Sequence, residues 1–363
     1  MIVLLGVLAQ PPMLEVLSLD GTPVTIGGAL RGGTGAGITR DGWPALVASA
    51  GAVTGVAVTM NDALARYAAV MGLTARDWHG QAVLGVAAEG TGQDGAAPPD
   101  HVALAAEIAR QILAAGPDVD PALLAWRLPM TGIWASSRIR AQAMAPSGQG
   151  VVPLRPAQAI RTLARSQPFT GYFGVERRDL THELHLGGQT ASMTREAFLM
   201  GDAAVLLPWD PVRDRVLVIE QFRFAPALRG DPQPWLLEPV AGRIDAGETP
   251  EAAILREAQE EADITVTRLF PAFHAYPSPG AVCEFLYQYV GIADLPDGSA
   301  GIHGLDGEAE DIRGHLMDRA RLSQLVDAGQ ISNGPLATLS LWLDARVDRL
   351  RGQLGLPLQA GGV

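Results

Sequence analysis

The chain contains no lysine; all 27 of its formal positive charges are arginine. That absence removes two chemistries at once. A Schiff-base enzyme needs a lysine amine, and a Walker A loop needs its lysine on the phosphates. Cysteine is nearly absent as well. The single thiol, Cys283, excludes an intramolecular disulfide and any cysteine-based zinc cluster. Burial statistics for lone cysteines favour a buried strand residue at this position, and scarce thiols fit a reducing, cytoplasmic setting. No apolar run approaches the ~20 residues of a membrane span, so no membrane partner is expected. Met1 to Leu8 is apolar but lacks a basic flank and soon meets Pro11 and Pro12. It reads as a first β-strand and not as a signal peptide. Acids outnumber arginines and leave a net charge of −12, a surface that repels phosphate backbones and argues against nucleic acid as a partner. A phosphorylated small molecule stays open to an acidic protein that recruits a cation.

What is present is ample core material. At 363 residues and 48% hydrophobic, the chain has the size and apolar content of two domains. The first 90 residues are rich in Gly, Ala and Val. Short apolar runs (Ile2–Leu8, Pro44–Ala48, Val53–Val58, Val83–Ala87) between glycine clusters predict short strands. Leu64, Tyr67, Ala68 and Met71 have helical spacing behind Asn61, a good N-cap. Asp100 heads a helix to about Ala115, and a further helical pattern spans about Pro121 to Ala143. Pro146, Ser147, Gly148 and Gly150 then read as a linker. Beyond it, Phe169–Leu186 and Gln189–Phe198 alternate as strands do, Asp210-Pro211 marks a turn between two apolar strands, and Asn333 to about Leu350 predicts a terminal helix. The expected domains are residues 1–150 and 151–355.

Three local signals favour plain readings. Gly27–Gly37 resembles a phosphate cradle but has no lysine and no G-x-G-x-x-G register, so a flexible turn is expected. His182 and His185 miss the i, i+4 spacing of a helical zinc site and are expected to be solvated. Ser136, Ser137, Arg138 and Arg140 read as a surface or interdomain face.

The segment Gly242–Ile264, GRIDAGETPEAAILREAQEEADI, is different. Thr249 suits an N-cap and Pro250 the first helical position. Spacings of three and four put Glu257, Glu260 and Glu261 on one face, where like charges repel by a few tenths of a kcal/mol per pair. Carboxylates gathered in this way, on a helix with apolar flanks, suggest a hard cation with oxygen ligands, Mg²⁺ or Mn²⁺. The order Gly242, five residues, Glu248, seven residues, then Arg256-Glu257-Ala258-Gln259-Glu260-Glu261 resembles the Nudix box. It departs at Ala258, where a larger aliphatic residue is usual, and at Asp263, which replaces a helix-ending glycine. The flanking AAVLLPWDPVRDRVLVIEQFRF and WLLEPVAGRIDAGE, Ser278-Pro279-Gly280 and the acidic GIHGLDGEAEDI resemble the ADP-ribose diphosphatase branch of the Nudix hydrolases over about residues 168–350.

The resemblance implies an α/β (α+β) fold: a C-terminal α/β/α sandwich with a mixed sheet, behind a small β-rich domain with a helical extension. It implies that Glu257, Glu261, Glu310 and the backbone carbonyl of Ala241 hold Mg²⁺ (or Mn²⁺), and that Glu260 supports them. By the same resemblance Glu248 and Arg256 position the ligands, Glu308 is the general base, and Arg195, Arg223, Glu238 and Pro279 belong to the substrate pocket. The implied reaction is hydrolysis of ADP-ribose to AMP and ribose 5-phosphate by a homodimer. The alternatives are another nucleoside diphosphate sugar such as GDP-mannose, or a sensor that binds ADP-ribose without cutting it. The first 90 residues weakly resemble a gamma-glutamylcyclotransferase-like domain through Leu5-Gly6-Val7-Leu8 and Pro44–Val58. That family's acid/base glutamate would fall at Met71, whose thioether carries no proton, which implies a degenerate domain used for binding or assembly.

Overall fold

The structure, a computed structural model, describes residues 1–87, 98, 100–148, 150–303 and 311–358. The chain divides into two compact units. One comprises Met1–Gly201 with Asp245–Gly247 and Gly280–Cys283; the other comprises Asp202–Ile244, Glu248–Pro279 and Glu284–Val363.

The first unit opens with β1 (Ile2–Leu4), a 3-10 turn (Gly6–Ala9) and α1 (Pro11–Val16). The expected strand to Leu8 is therefore three residues long. Gly6, at φ +58°, turns the chain, and the prolines sit in the first turn of α1, where their missing N–H costs nothing. Next come β2 (Thr22–Arg31), β3 (Ala45–Val58), α2 (Asp62–Met71), β4 (Arg76–Trp78) and β5 (Gln81–Leu84), with strand order β2-β3-β1-β5-β4. The runs at Pro44–Ala48 and Val53–Val58 are one 14-residue strand rather than two. Its Gly55 is required by contact, since a Cβ there would come within 2.6 Å of the Leu4 carbonyl oxygen. Gly27–Arg31 belongs to β2, with a register shift between Gly27 and Ala29; only the rest of the glycine segment is loop. α2 forms as its pattern predicts. The Asn61 side chain accepts the Leu64 N–H at 2.8 Å, Gly72 closes the helix at φ +67°, and Leu64, Tyr67 and Met71 are buried.

α3 (His101–Ala114), α4 (Pro121–Trp126) and α5 (Leu128–Ala143) follow. The single helical pattern over 121–143 is thus broken at Arg127, because Pro129 cannot donate to the carbonyl four residues back and its ring clashes there. β6 (Ile160–Thr170), β7 (Gly174–His182) and β8 (Met193–Leu199) form an antiparallel sheet in that order. Ser136 and Ser137 are buried, not part of a surface face, and Arg138 bonds Glu107 at 2.6 Å. His182 and His185 are exposed, as expected. Cys283 is half-buried and lies outside any strand, tied by its N–H to the Phe198 carbonyl at 2.9 Å.

The second unit contains β9 (Ala203–Asp210), β10 (Arg215–Phe222), α6 (Phe224–Arg229), β11 (Trp235–Glu238), β12 (Val240–Arg243), α7 (Pro250–Ala262), β13 (Val266–Ala275), β14 (Leu286–Ala293), β15 (Ile302–His303), β16 (Ile312–Asp318), α8 (Arg319–Asp327), α9 (Gly334–Asp344) and α10 (Val347–Gln353). Among the described residues the sheet runs β13-β14-β9-β10-β16-β15, with β11 on β10 and β12 on β9. It is mixed, because β14 runs parallel to β9 while the other pairs are antiparallel. Period-two alternation splits β9. Ala204 and Leu206 join the core under α7, whereas Val205, Leu207 and Trp209 join the core under α8, α9 and α10. That is the expected α/β/α sandwich. The expected terminal helix is two helices, α9 and α10. The turn tightens between them, with Arg346 N–H on the Leu343 carbonyl at 2.9 Å.

Candidate active site

α7 is positioned by its ends and by one apolar face. The Thr249 hydroxyl accepts the Ala252 N–H at 3.1 Å, and Pro250 fills the first turn. Ala253, Ile254, Ala258 and Ala262 are buried against the sheet, and Ala258 is wholly enclosed. Asp263 ends the helix at φ +50°, the left-handed conformation that its departure from glycine put in question. The Ile264 N–H reaches the Ala258 carbonyl at 3.1 Å, so the terminus closes as it would behind a glycine.

The carboxylates on this helix share one guanidinium. Arg256 Nε and Nη2 donate to Glu248 at 3.2 and 3.1 Å, and Nη1 donates to Glu257 at 2.8 Å and Glu260 at 3.0 Å. Nη2 also reaches the Arg243 carbonyl at 3.2 Å. The bond to Glu248, with the charges of Glu257 and Glu248, outweighs burial and holds the guanidinium above even the ordinary arginine range. Arg256 is therefore a permanent cation that fixes three acidic side chains. Glu261, only 4% exposed, accepts the Ala241 N–H at 3.0 Å and so is bound to β12. Gly242, next along β12, is needed for lack of a side chain, because a Cβ there would fall on the Glu257 carboxylate.

At the junction of β10 and β11, Arg223 donates Nε to both Glu238 oxygens at 3.0 Å and Nη2 to one of them at 2.6 Å. Glu238 is 4% exposed, so this chelated pair is a built feature of the unit. Pro279 is exposed at the end of this unit's middle segment. Arg195 is on β8 in the first unit, exposed, with Nη1 on the Thr194 carbonyl at 2.9 Å. Glu308 and Glu310 lie outside the described residues. The structure thus brings together Ala241, Glu248, Arg256, Glu257, Glu260 and Glu261 around β12 and α7, and separately Arg223 with Glu238.

Sequence reasoning missed Glu284. Burial, with Asp202 adding to it, raises its carboxyl above the usual range, although Arg243 and Arg223 act against the shift. A half-buried carboxylate under the influence of two arginines is a candidate site group. It carries no motif of its own, and its signal is the fold that returns β14 beside β9.

Among the described residues no group of three or more His, Cys, Asp or Glu side chains stands ready for a metal. The donor chemistry nonetheless suits a hard divalent cation. Glu257 and Glu261 stand one helical turn apart beside β12, both as oxygen donors, and the third carboxylate expected from sequence, Glu310, is outside the described residues.

The second unit is a mixed-sheet sandwich whose glutamates gather on one helix and its approach. The family model for the NUDIX domain matches residues 200–336. The chain is 40% identical over 194 residues to an ADP-ribose pyrophosphatase of Escherichia coli strain K12, covering 53% of this chain and 92% of that protein. It is 36% identical over 197 residues to an ADP-ribose pyrophosphatase of Haemophilus influenzae, covering 53% and 90%. A GDP-mannose pyrophosphatase of Enterobacter sp. strain 638 is 30% identical over 167 residues, covering 46% and 86%. The chain belongs to the Nudix family and is a hydrolase, as its box suggested.

Proposed function

We propose that the chain hydrolyses the pyrophosphate bond of ADP-ribose with Mg²⁺ (or Mn²⁺), releasing AMP and ribose 5-phosphate. The observation that carries this reading is the box helix itself, with Arg256 binding Glu248, Glu257 and Glu260 while Glu261 is anchored on Ala241. Two relatives named for ADP-ribose, at 36% and 40% identity, favour it over GDP-mannose, whose namesake stands at 30%.

In this mechanism Glu257 and Glu261 would hold the cation, together with the Ala241 carbonyl and Glu310. A divalent cation there would supply the positive charge that lets a water approach a polyanionic pyrophosphate. Arg256 keeps the carboxylates in register. Glu308 takes the proton from the attacking water as it adds to phosphorus and the bridging P–O bond breaks. Arg223, fixed by Glu238, and Arg195 bind substrate, and Pro279 shapes the pocket. The products require one water and no covalent intermediate, in keeping with a chain that has no lysine and one cysteine.

The test is AMP release from ADP-ribose with Mg²⁺, against GDP-mannose, ADP-glucose and NADH, for wild type and Glu308→Gln. Preference for ADP-ribose with a crippled variant is expected. Faster turnover of GDP-mannose would move the substrate. No turnover of the panel by folded protein would leave a binding role.

The same reading covers the rest of the chain. Ile160, Leu163 and Phe169 on β6 are more than half exposed, which supports a homodimer, and sedimentation of the full chain checks it. Met71 is wholly buried, which supports a non-catalytic, gamma-glutamylcyclotransferase-like N-terminal region; cyclisation of a gamma-glutamyl peptide by the full chain would refute that.

A further inference from the structure

The break between α4 and α5 puts a charge where the chain offers it no counter-charge. Arg127 is 8% exposed. Its Nε is buried without a hydrogen-bond partner, and among the described residues no carboxylate pairs with it. The nearby buried acids are committed elsewhere. Glu107 accepts from Arg110, Gln111 and Arg138, and Glu176 accepts from Arg165 and Arg178. The guanidinium lies over Gly174 at the start of β7, where a Cβ would come within 3.0 Å of Nη2. Burial alone moves its pKa below the usual arginine range. A buried cation left in this state is costly, and such groups are paired in folded proteins.

The same guanidinium lines a cavity of about 20 Å³, together with Gln111, Thr131, Trp134, Gln167 and Leu124. That volume admits one water-sized body. Trp134 lines the cavity as well, and its indole N–H is buried without a hydrogen-bond partner. Neither Arg nor Trp has an acceptor atom on its side chain, so the two point the chemistry one way. The Gln111 amide N–H₂ is on Glu107 and its oxygen faces Arg165 at 3.5 Å. Water could accept both donors but would leave the charge uncompensated. A small monovalent anion would accept both donors and supply the missing charge.

We propose that this cavity binds one small monovalent anion of halide size, held by the Arg127 guanidinium and the Trp134 indole N–H. The anion neutralises Arg127 and ties the α4–α5 break to β7 and β8. It is independent of the hydrolase site and of whichever substrate that site takes.

The experiment is thermal unfolding of the full chain in sodium chloride, sodium bromide, sodium phosphate and sodium methanesulfonate at matched ionic strength. A ligand that binds only the folded state stabilises it by RT ln(1 + [L]/Kd), so the midpoint rises with the logarithm of concentration above Kd. The expected result is a midpoint that climbs by a few degrees with the logarithm of chloride or bromide concentration, beyond any shift in methanesulfonate or phosphate. Arg127→Met abolishes the halide-specific component. Trp134→Phe keeps the ring but shifts the titration several-fold to higher chloride, and it serves if Arg127→Met does not fold. Superimposed chloride and methanesulfonate curves in wild type overturn the proposal, and so does stabilisation by phosphate alone. A halide effect that survives Trp134→Phe unchanged overturns the assignment of this cavity.

Discussion

Two clusters of glutamate and arginine sit in the two units, with opposite proportions. In the first unit Glu107 is held by Arg110 and Arg138, and Glu176 by Arg165 and Arg178, two guanidinium groups to each carboxylate. In the second, one guanidinium, Arg256, serves Glu248, Glu257 and Glu260. The residue types are the same and the ratio decides the role. Where arginines are in excess, each acid is a fastening between elements, α3 to α5 or β6 to β7. Where acids are in excess, a lone arginine joins three of them, and in the proposed function the set takes up a cation.

The sharpest way to break this comparison is to neutralise one acid on each side. Glu261→Gln should lower turnover by about 10³-fold, within the range expected when a charge needed in the transition state is removed. Its amide oxygen can still accept the Ala241 N–H, so the melting midpoint should barely move. Turnover within about tenfold of wild type would make the acidic excess structural. Glu107→Ala should do the reverse, costing about 2 kcal/mol in denaturant unfolding. The figure is held down because Arg110 and Arg138 keep part of their solvent, and activity per folded molecule should stay intact. An unchanged midpoint would show that fastening is not what the arginine excess does.

Acid titration extends the comparison. Burial tends to raise the Glu107 carboxyl, but hydrogen bonds from Gln111, Arg110 and Arg138 bring it below the usual range. Asp210 behaves likewise in the second unit, where Arg213, Leu295 and Val212 outweigh its burial. A depressed folded value means the stabilisation is complete above the unfolded pKa, near 4, and is lost as pH falls through the folded value. Glu107→Gln and Asp210→Asn should therefore each flatten the loss of stability below about pH 4. An acid limb as steep as that of wild type would remove both groups from the account. The smallest expected effect is at the helix end. Asp263→Gly should raise stability by no more than about 1 kcal/mol, as the left-handed conformation is relieved. The exposed bond from Gln259 to Asp263 is lost in exchange, and a decrease on melting would show that this bond matters more.

The active helix was legible because its information is local. Thr249, Pro250, the apolar positions of α7 and the run from Arg256 to Glu261 specify a start, a face and a charge pattern within fifteen residues or so of each other. Long-range pairing was less so. Nothing local says that Gly51 and Gly55 continue β3; the pairing with β1 and β2 decides it. The break at Arg127 was hidden because the apolar spacing continues across Pro129, although that proline was the available warning. Glu284 was invisible because its raised pKa is a property of its surroundings. The closed end behind Asp263 shows the opposite case, in which an unfavourable residue still adopts the local geometry.

One consequence follows from how β12 is mounted. Val240–Arg243 pairs along Leu206–Ala203 of β9, the strand buried at every position, and Ala241 lies between that strand and Glu261. Local opening there must expose the centre of the sheet, so amide exchange around Ala241 should proceed only through global unfolding. Ala241 and the Glu261 carboxylate bound to it then have no soft mode of their own. The proposed catalytic scaffold then persists for as long as the unit remains folded.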